Sequence, residues 1–514
     1  MHYYIKRYLF KYIFIIFSLV GLVITAFLDN KIKENIYTDI CNFSVRSDDS
    51  VINIQWSAAQ CNGIDHIELT ISGKNGTHET NISPSKTSYS YEAGVHGEWY
   101  AITIVSRFTD GSYGEEFTTV VPFLVYDKLP DIPLIIINTS NGLEPPYEEA
   151  VKPDESLAGR TIINNESVPA EYMMRQSGCA DIASRIKIKV RGNTSSVAGY
   201  KQSYKIILNE PMDLLGRGTK YANKNWVLLN SGTNLKTYIG EYVAGLYDVE
   251  WSPEMMFVNV ILNGDWKGCF LLIESVDRSV ARVNVSNTGY IFENNAYWWK
   301  PDVLYFQLEH QHVAMRYTFK YPHINNSDDP RFFQLQQYMQ EYEDLIFSGN
   351  VEYRNYIDEE SFAKWILVRD LMGEFDGLGS NMYFYKYDFE LDNPTSSKVK
   401  MGPLWDFDGS FMVEGEWSNS RLNVGTYFPK LFEQESFNQI YMKLFQSKEE
   451  TVVPDIETYL RELEYLQGEA LNQSWILDCQ RWGHEYIPIE EQIKNDVEWL
   501  SKRVVWMKNA LEDN

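Results

Sequence analysis

Runs in which apolar and polar residues alternate fill the early part of the chain. Residues 51–56, 64–71, 87–91, 98–108 and 115–123 are such runs, separated by Gly, Asn and Asp turns. Short strands at this spacing predict a small all-β sandwich over residues 47–128. A break at 127–131, with Pro130 and Pro133 beside it, marks a boundary. The apolar run 134–137 then reads as the buried strand that opens a second domain, 130–514, after which 140–160 is polar and loop-like. Residues 185–191 alternate strictly, so Arg185, Lys187, Lys189 and Arg191 share one face. A small-residue loop, 192–202, leads to a returning strand at 203–208.

Further along, 226–229 is another buried strand, and 257–262 and 268–274 form a hairpin about Asn263-Gly264. Between them, Leu235, Ile239, Tyr242, Val243 and Leu246 fall on one helical stripe. Residues 290–321 are strand-like and aromatic, and from Pro330 the periodicity becomes helical. Asp358 or Ser361 caps a helix whose buried stripe is Phe362, Trp365, Val368 and Met372. Residues 382–387 and 398–401 flank an Asp392-Asn393-Pro394 turn and predict a hairpin, and 490–511 closes the chain as an amphipathic helix. The class expected is α+β.

Ahead of the sandwich, Lys6, Arg7 and Lys11 precede the uncharged stretch 12–28. This predicts a signal peptide or signal anchor over 1–30, followed by a polar linker over 31–46. The residues around Ala26 make a poor small-x-small cleavage site, which favours an anchor. The bulk would then lie outside the cytoplasm, tethered to a membrane through 12–28 if uncleaved or secreted if cleaved. Composition adds bounds. An apolar share of 44% with 15% aromatic residues argues against disorder. A net charge of −25 argues against nucleic acid as a partner and favours neutral or basic polypeptides. Five cysteines fit an oxidising compartment, with Cys41 and Cys61 near enough in sequence to bridge. None has the C-x-x-C spacing of a zinc site.

Candidate chemistry concentrates between Asp370 and Phe411. Asp376 and Asn381 have the spacing of a protein-kinase catalytic loop, where Asp accepts the proton of the attacking hydroxyl and Asn holds a metal ion. The hairpin that follows would carry Asp406, in Leu404-Trp405-Asp406-Phe407-Asp408-Gly409, back beside Asp376. Base, ligand, hairpin and second acidic ligand is an order that suits phosphoryl transfer.

These segments resemble the spore-coat CotH-type kinase family. The resemblance is carried by Arg191-Gly192-Asn193-Thr194-Ser195-Ser196, Lys224-Asn225-Trp226-Val227-Leu228-Leu229, Asn263-Gly264-Asp265-Trp266-Lys267-Gly268, Leu272-Ile273-Glu274, the Asp376 loop and the Asp406 motif, over roughly 130–514. It implies an atypical protein-kinase-like domain with a mostly antiparallel β N-lobe and a helical C-lobe. The preceding sandwich, with Trp56 and Gly97-Glu98-Trp99-Tyr100, is similar to fibronectin type III modules. The implied activity is transfer of the ATP γ-phosphoryl group to Ser or Thr of a protein, with Mg²⁺ or Mn²⁺. Asp376 would be the catalytic carboxylate, Asn381 and Asp406 metal ligands, and Asp408 a further ligand or support. Lys205, Lys189 and Arg191 compete for the phosphates, Glu241 is a candidate partner of the lysine, and the Glu274 backbone would border the adenine. The chain departs from ordinary kinases in having Asp408 where the metal motif has Gly, and no His-Arg before Asp376, which leaves orientation of the base to groups such as Glu374. Two other readings are an adhesin that uses a kinase-like scaffold without catalysis, and a glycosidase built on Asp406 and Glu374.

Overall fold

The computed structural model describes residues 40–58, 63–154, 159–197, 201–312, 314–374, 381–411 and 427–512. The hydrophobic stretch 12–28 and Cys61 lie outside them, and with these the expected anchor and the Cys41–Cys61 bridge. Among the described residues no helix is long and apolar enough to cross a membrane. The chain divides into two compact units, one reaching to Leu129 and taking in Gly264–Trp266, the other holding the rest.

The first unit consists of β1 (Ile40–Asp48), β2 (Val51–Ala58), β3 (Ile64–Gly73), β4 (Gly76–Ile82), β5 (Ser88–Tyr91), β6 (Trp99–Phe108) and β7 (Phe117–Pro122). They form two antiparallel sheets, ordered β1-β2-β5 and β4-β3-β6-β7. Ile52, Ile54 and Trp56 of one sheet share a core with Ile67, Leu69, Ile71, Ile102 and Ile104 of the other. This is the sandwich that the alternation predicts, since every second residue points inward. The connector expected over 31–46 ends early. Ile40–Asp48 pairs along β2 and packs Phe43 and Val45 against the core, which hydropathy alone understates in so polar a stretch.

The second unit begins with a barrel. Its elements are β8 (Leu134–Thr139), β9 (Glu148–Val151), β10 (Arg160–Ile163), β11 (Val168–Arg175), β12 (Ile182–Arg191), the short α1 (Thr194–Val197), β13 (Ser203–Met212), β14 (Asn223–Leu229), α2 (Lys236–Leu246), β15 (Met255–Leu262) and β16 (Asp265–Glu274). Seven strands close in the order β11-β12-β13-β14-β16-β15-β8, and β8 runs parallel to β15. Closure puts Ile186, Ile188, Val190, Tyr204, Ile206, Trp226 and Leu228 in one core and turns Lys187, Lys189 and Lys205 to the outside. The polar stretch 140–160 is not all loop, because β9 and β10 pair within and after it.

The rest contains β17 (Tyr290–Asn295), β18 (Tyr305–Phe306), β19 (Arg316–Tyr321), α3 (Pro330–Phe347), α4 (Glu359–Met372), β20 (Met382–Lys386), β21 (Val399–Met401), α5 (Phe428–Phe432), α6 (Glu435–Gln446), α7 (Val452–Trp482) and α8 (Ile489–Glu512). The hairpin expected after Asn381 forms as β20 and β21, at one edge of a five-stranded sheet ordered β18-β19-β17-β20-β21. Asp358 caps α4 by accepting from the Ser361 N–H at 3.1 Å, and Gly373, at φ 59°, ends it in the left-handed conformation.

Buried charges tie these layers together. Lys201 meets Asp478 of α7 at 2.6 Å, and the same carboxylate oxygen accepts from the Cys269 N–H of β16 at 2.7 Å. Gly268 is required there. Its φ is 112°, and a Cβ would stand 2.0 Å from the Asp478 carboxylate.

Candidate active site

α4 delivers its last turn to the start of the Asp376 loop. Asp376 itself falls outside the described residues, which resume at Asn381. Arg369, fully buried near the end of α4, donates from Nη1 to the Asp406 carbonyl at 2.7 Å and from Nη2 to the Trp405 carbonyl. That grip holds an unusual backbone, since Asp406 has φ 63° although it is not glycine. Such strain persists only where neighbours over-determine it, and it gathers at functional sites.

Three further anchors fix the same loop. Gly240 of α2 lies flat against the Phe407 ring, and a Cβ there would be 2.3 Å from it. Gly409 lets the buried Glu374 carboxylate approach, and a Cβ would stand 2.4 Å from its Oε1. Glu374 also accepts from the Ser410 hydroxyl at 3.1 Å. Lys236, at the start of α2, donates to the Asp408 carbonyl at 3.4 Å. Glu374 thus braces the loop beyond the Asp406 motif.

Held this way, Asp406 meets Asn381. The Asn381 amide nitrogen is 3.3 Å from Asp406 Oδ2, although 25 residues separate them in sequence. The amide and carboxylate are hard donors of the kind Mg²⁺ and Mn²⁺ prefer, and amide orientation is set by whatever partner is present. Asp408 is exposed. Among the described residues no group of three or more His, Cys, Asp and Glu side chains forms a metal cluster.

The three candidate cations of the barrel neighbour one another, and one of them reaches this loop. Lys189 and Lys205 are directly opposed across β12 and β13, and Arg191 stacks over the Trp405 ring, 5.3 Å from its centroid. Val227 and Ile273, on the outer face of the barrel, pack on Tyr383 and Trp405. Burial lowers the pKa of Lys205, and Lys189 and Lys320 lower it further while Asp277 opposes them. Burial likewise lowers that of Lys189.

Two expected residues are occupied elsewhere. Glu241 is buried and accepts from the Ser252 hydroxyl, not from a lysine among the described residues. Burial drives its pKa well above the usual carboxylate range. Glu274 is buried in an ion network, 2.8 Å from Arg217 and 3.4 Å from Arg282, and its N–H donates to the Glu254 carbonyl. A surface cavity of about 210 Å³, lined by Asp248, Glu250, Asp358 and Lys364 among others, contains none of the candidate residues.

Residues 188–506 match the family model described as CotH kinase protein. The chain belongs to this family. The match spans well over half of the 514 residues and includes the barrel cations, Asn381 and the Asp406 loop. No curated protein sequence matches the chain. Solved structures with some likeness include a two fibronectin type III domain segment from chicken tenascin, 14% identical, covering 29% of this chain and 99% of that one at TM-score 0.16. Domains FN1–FN3 of chicken CNTN1 are 10% identical over 34% and 76% of the two chains at TM-score 0.14. The twitchin kinase region from C. elegans is 8% identical over 47% and 40% at TM-score 0.17. Likenesses this slight carry no argument for fold or function.

Beside the CotH assignment, the residues that sequence reasoning overlooked are Arg369 and Lys236, which hold the Asp406 loop, and Lys320, which neighbours Lys205. Lys320 shares with Lys205 a signal legible in the sequence, a lone lysine in an aromatic and β-branched strand. Arg369 carried none, because an arginine in an apolar helix reads as a solvated position until its carbonyl partners are known.

Proposed function

We propose that this CotH-family protein is a metal-dependent phosphotransferase that moves the γ-phosphoryl group of ATP to a Ser or Thr hydroxyl of a protein. The acceptor oxygen would bond to the γ-phosphorus as the bridging bond to the β-phosphate breaks, releasing ADP. Asp376 would take the hydroxyl proton, a role that rests on family resemblance. Asn381 and Asp406 would hold the Mg²⁺ or Mn²⁺, whose contribution is to neutralise charge on the phosphates. Lys205, Lys189 and Arg191 would face the phosphate oxygens, where their mutual repulsion is relieved by an anion. Export, by an anchor or a cleaved signal in residues 12–28, is part of the proposal and rests on sequence alone.

One observation carries this reading: the 3.3 Å approach of Asn381 to Asp406, on a strained and four-fold anchored loop. A scaffold that only binds has no use for that strain. The test is label transfer from radiolabelled ATP with Mg²⁺ or Mn²⁺, to the protein itself and to a generic Ser/Thr substrate. Asp406→Ala should reduce incorporation to background. Equal incorporation by both proteins would discard the enzyme reading in favour of an adhesin.

A further inference from the structure

The cations around the Asp406 loop do not all come from the barrel. Lys320 of β19 and Lys300, just after β17, join Lys189, Arg191 and Lys205 in one electrostatic neighbourhood. Lys320 differs from the other four in three respects. It is the extra residue of a β-bulge, because Phe319 pairs with Phe292 and Tyr321 pairs with Ile291, leaving Lys320 without a partner in the ladder. Bulges of this kind re-aim a side chain and gather beside active sites. It also has a carboxylate of its own, Glu293 of β17, at 2.7 Å. Finally, it reaches Tyr383, 5.7 Å from the ring centroid, so it sits at the aromatic floor made by Tyr383 and Trp405. Lys300 is spent differently, since it donates to the Asn193 side chain at 2.8 Å and so holds the β12–β13 tip.

We propose that Lys320, oriented by Glu293, is the principal phosphate-contacting cation of this site, with Lys205 and Lys189 in support. The lysine–glutamate pair expected between a barrel lysine and Glu241 is supplied instead by neighbouring strands of the five-stranded sheet. The assignment rests on the phosphotransfer reading. Charge availability supports it. Lys320 keeps 41% of its side chain exposed, and Glu293 raises its pKa against the opposition of Arg191. Lys205 and Lys189 are lowered, and Lys300 is pushed down to about 8. At neutral pH Lys320 is, of the four lysines, the one whose charge is most firmly held.

The test is equilibrium binding of radiolabelled ATP with Mg²⁺ to the full chain. Lys320→Met should weaken binding by about tenfold or more, Lys320→Arg should restore most of it, and Lys205→Met should cost less than Lys320→Met. Glu293→Gln should make binding fall more steeply than in the unaltered protein as pH rises from about 7 to about 9.5, because Lys320 then faces Arg191, Lys300 and Lys205 without its carboxylate. If Lys320→Met binds ATP as the unaltered protein does, or if Glu293→Gln leaves the pH profile unchanged, the assignment is wrong while the phosphotransfer reading stands. If the unaltered protein binds no ATP, both fail.

Discussion

Gly409 is the residue on which the Asp406 loop turns back over Glu374. Its own Cβ would have to occupy the Glu374 carboxylate, and that side chain is fully buried with nowhere to retreat. Gly409→Ala should therefore displace the loop and abolish label transfer, while circular dichroism shows the secondary structure retained. Glu241 makes a second prediction. Burial raises its pKa well above the ordinary glutamate value of 4.5, so the folded protein keeps this proton where the unfolded chain has released it. The stability contributed by that proton is full below the unfolded value and is lost as pH rises through the folded one. Glu241→Gln, which is neutral at every pH and can still accept from Ser252, should flatten the decline in melting temperature between about pH 5 and 8. Neither residue could be judged from the chain alone. Glu241 was visible as a glutamate off an apolar stripe, and that pattern is the same whether the side chain meets a lysine, a serine or water.

The helices that support the loop are joined by a buried ion pair. Arg503 of α8 meets Asp370 of α4 at 2.6 Å, and Tyr441 of α6 donates to the other oxygen of that carboxylate at 2.9 Å. Removing one partner strands a buried charge, at a cost of about 3–5 kcal/mol. Arg503→Met should lower the unfolding midpoint by a corresponding amount, read by chemical denaturation. Asp370→Asn combined with it should recover part of the loss, since both charges are then gone. α4 itself was legible beforehand: the Asp358 cap, the 362–365–368–372 stripe and the Gly373 terminus are local signals. The role of its last turn was not, because Arg369 acts on carbonyls 36 and 37 residues away in sequence.

Each of the two units holds its own apolar core, the sandwich around Trp56 and the larger unit around Trp226 and Trp365. All residues assigned to the nucleotide and metal belong to the larger unit. Calorimetry of the full chain with ATP and Mg²⁺ should therefore raise the melting of the larger unit, with little effect on the sandwich. A shift confined to the sandwich transition would count against the site. The whole-chain charge of −25 is uninformative about this local field, in which five cations neighbour one another and Arg191 stacks on Trp405 of the loop. Summed charge discards position, and position is what a bound phosphate feels.

Alternation and helical stripes were enough to place the sandwich, the β20–β21 hairpin, α2, α4 and the closing helix, because those signals depend on neighbours within a few residues. Motif order along the chain was enough to point to the CotH family and to Asn381 and Asp406. Closure of the barrel, the grip of Arg369, the left-handed backbone of Asp406 and the pairing of Lys320 with Glu293 required coordinates. Each depends on contacts between segments remote in sequence, and nothing in local hydropathy records which remote side chain a charge will find.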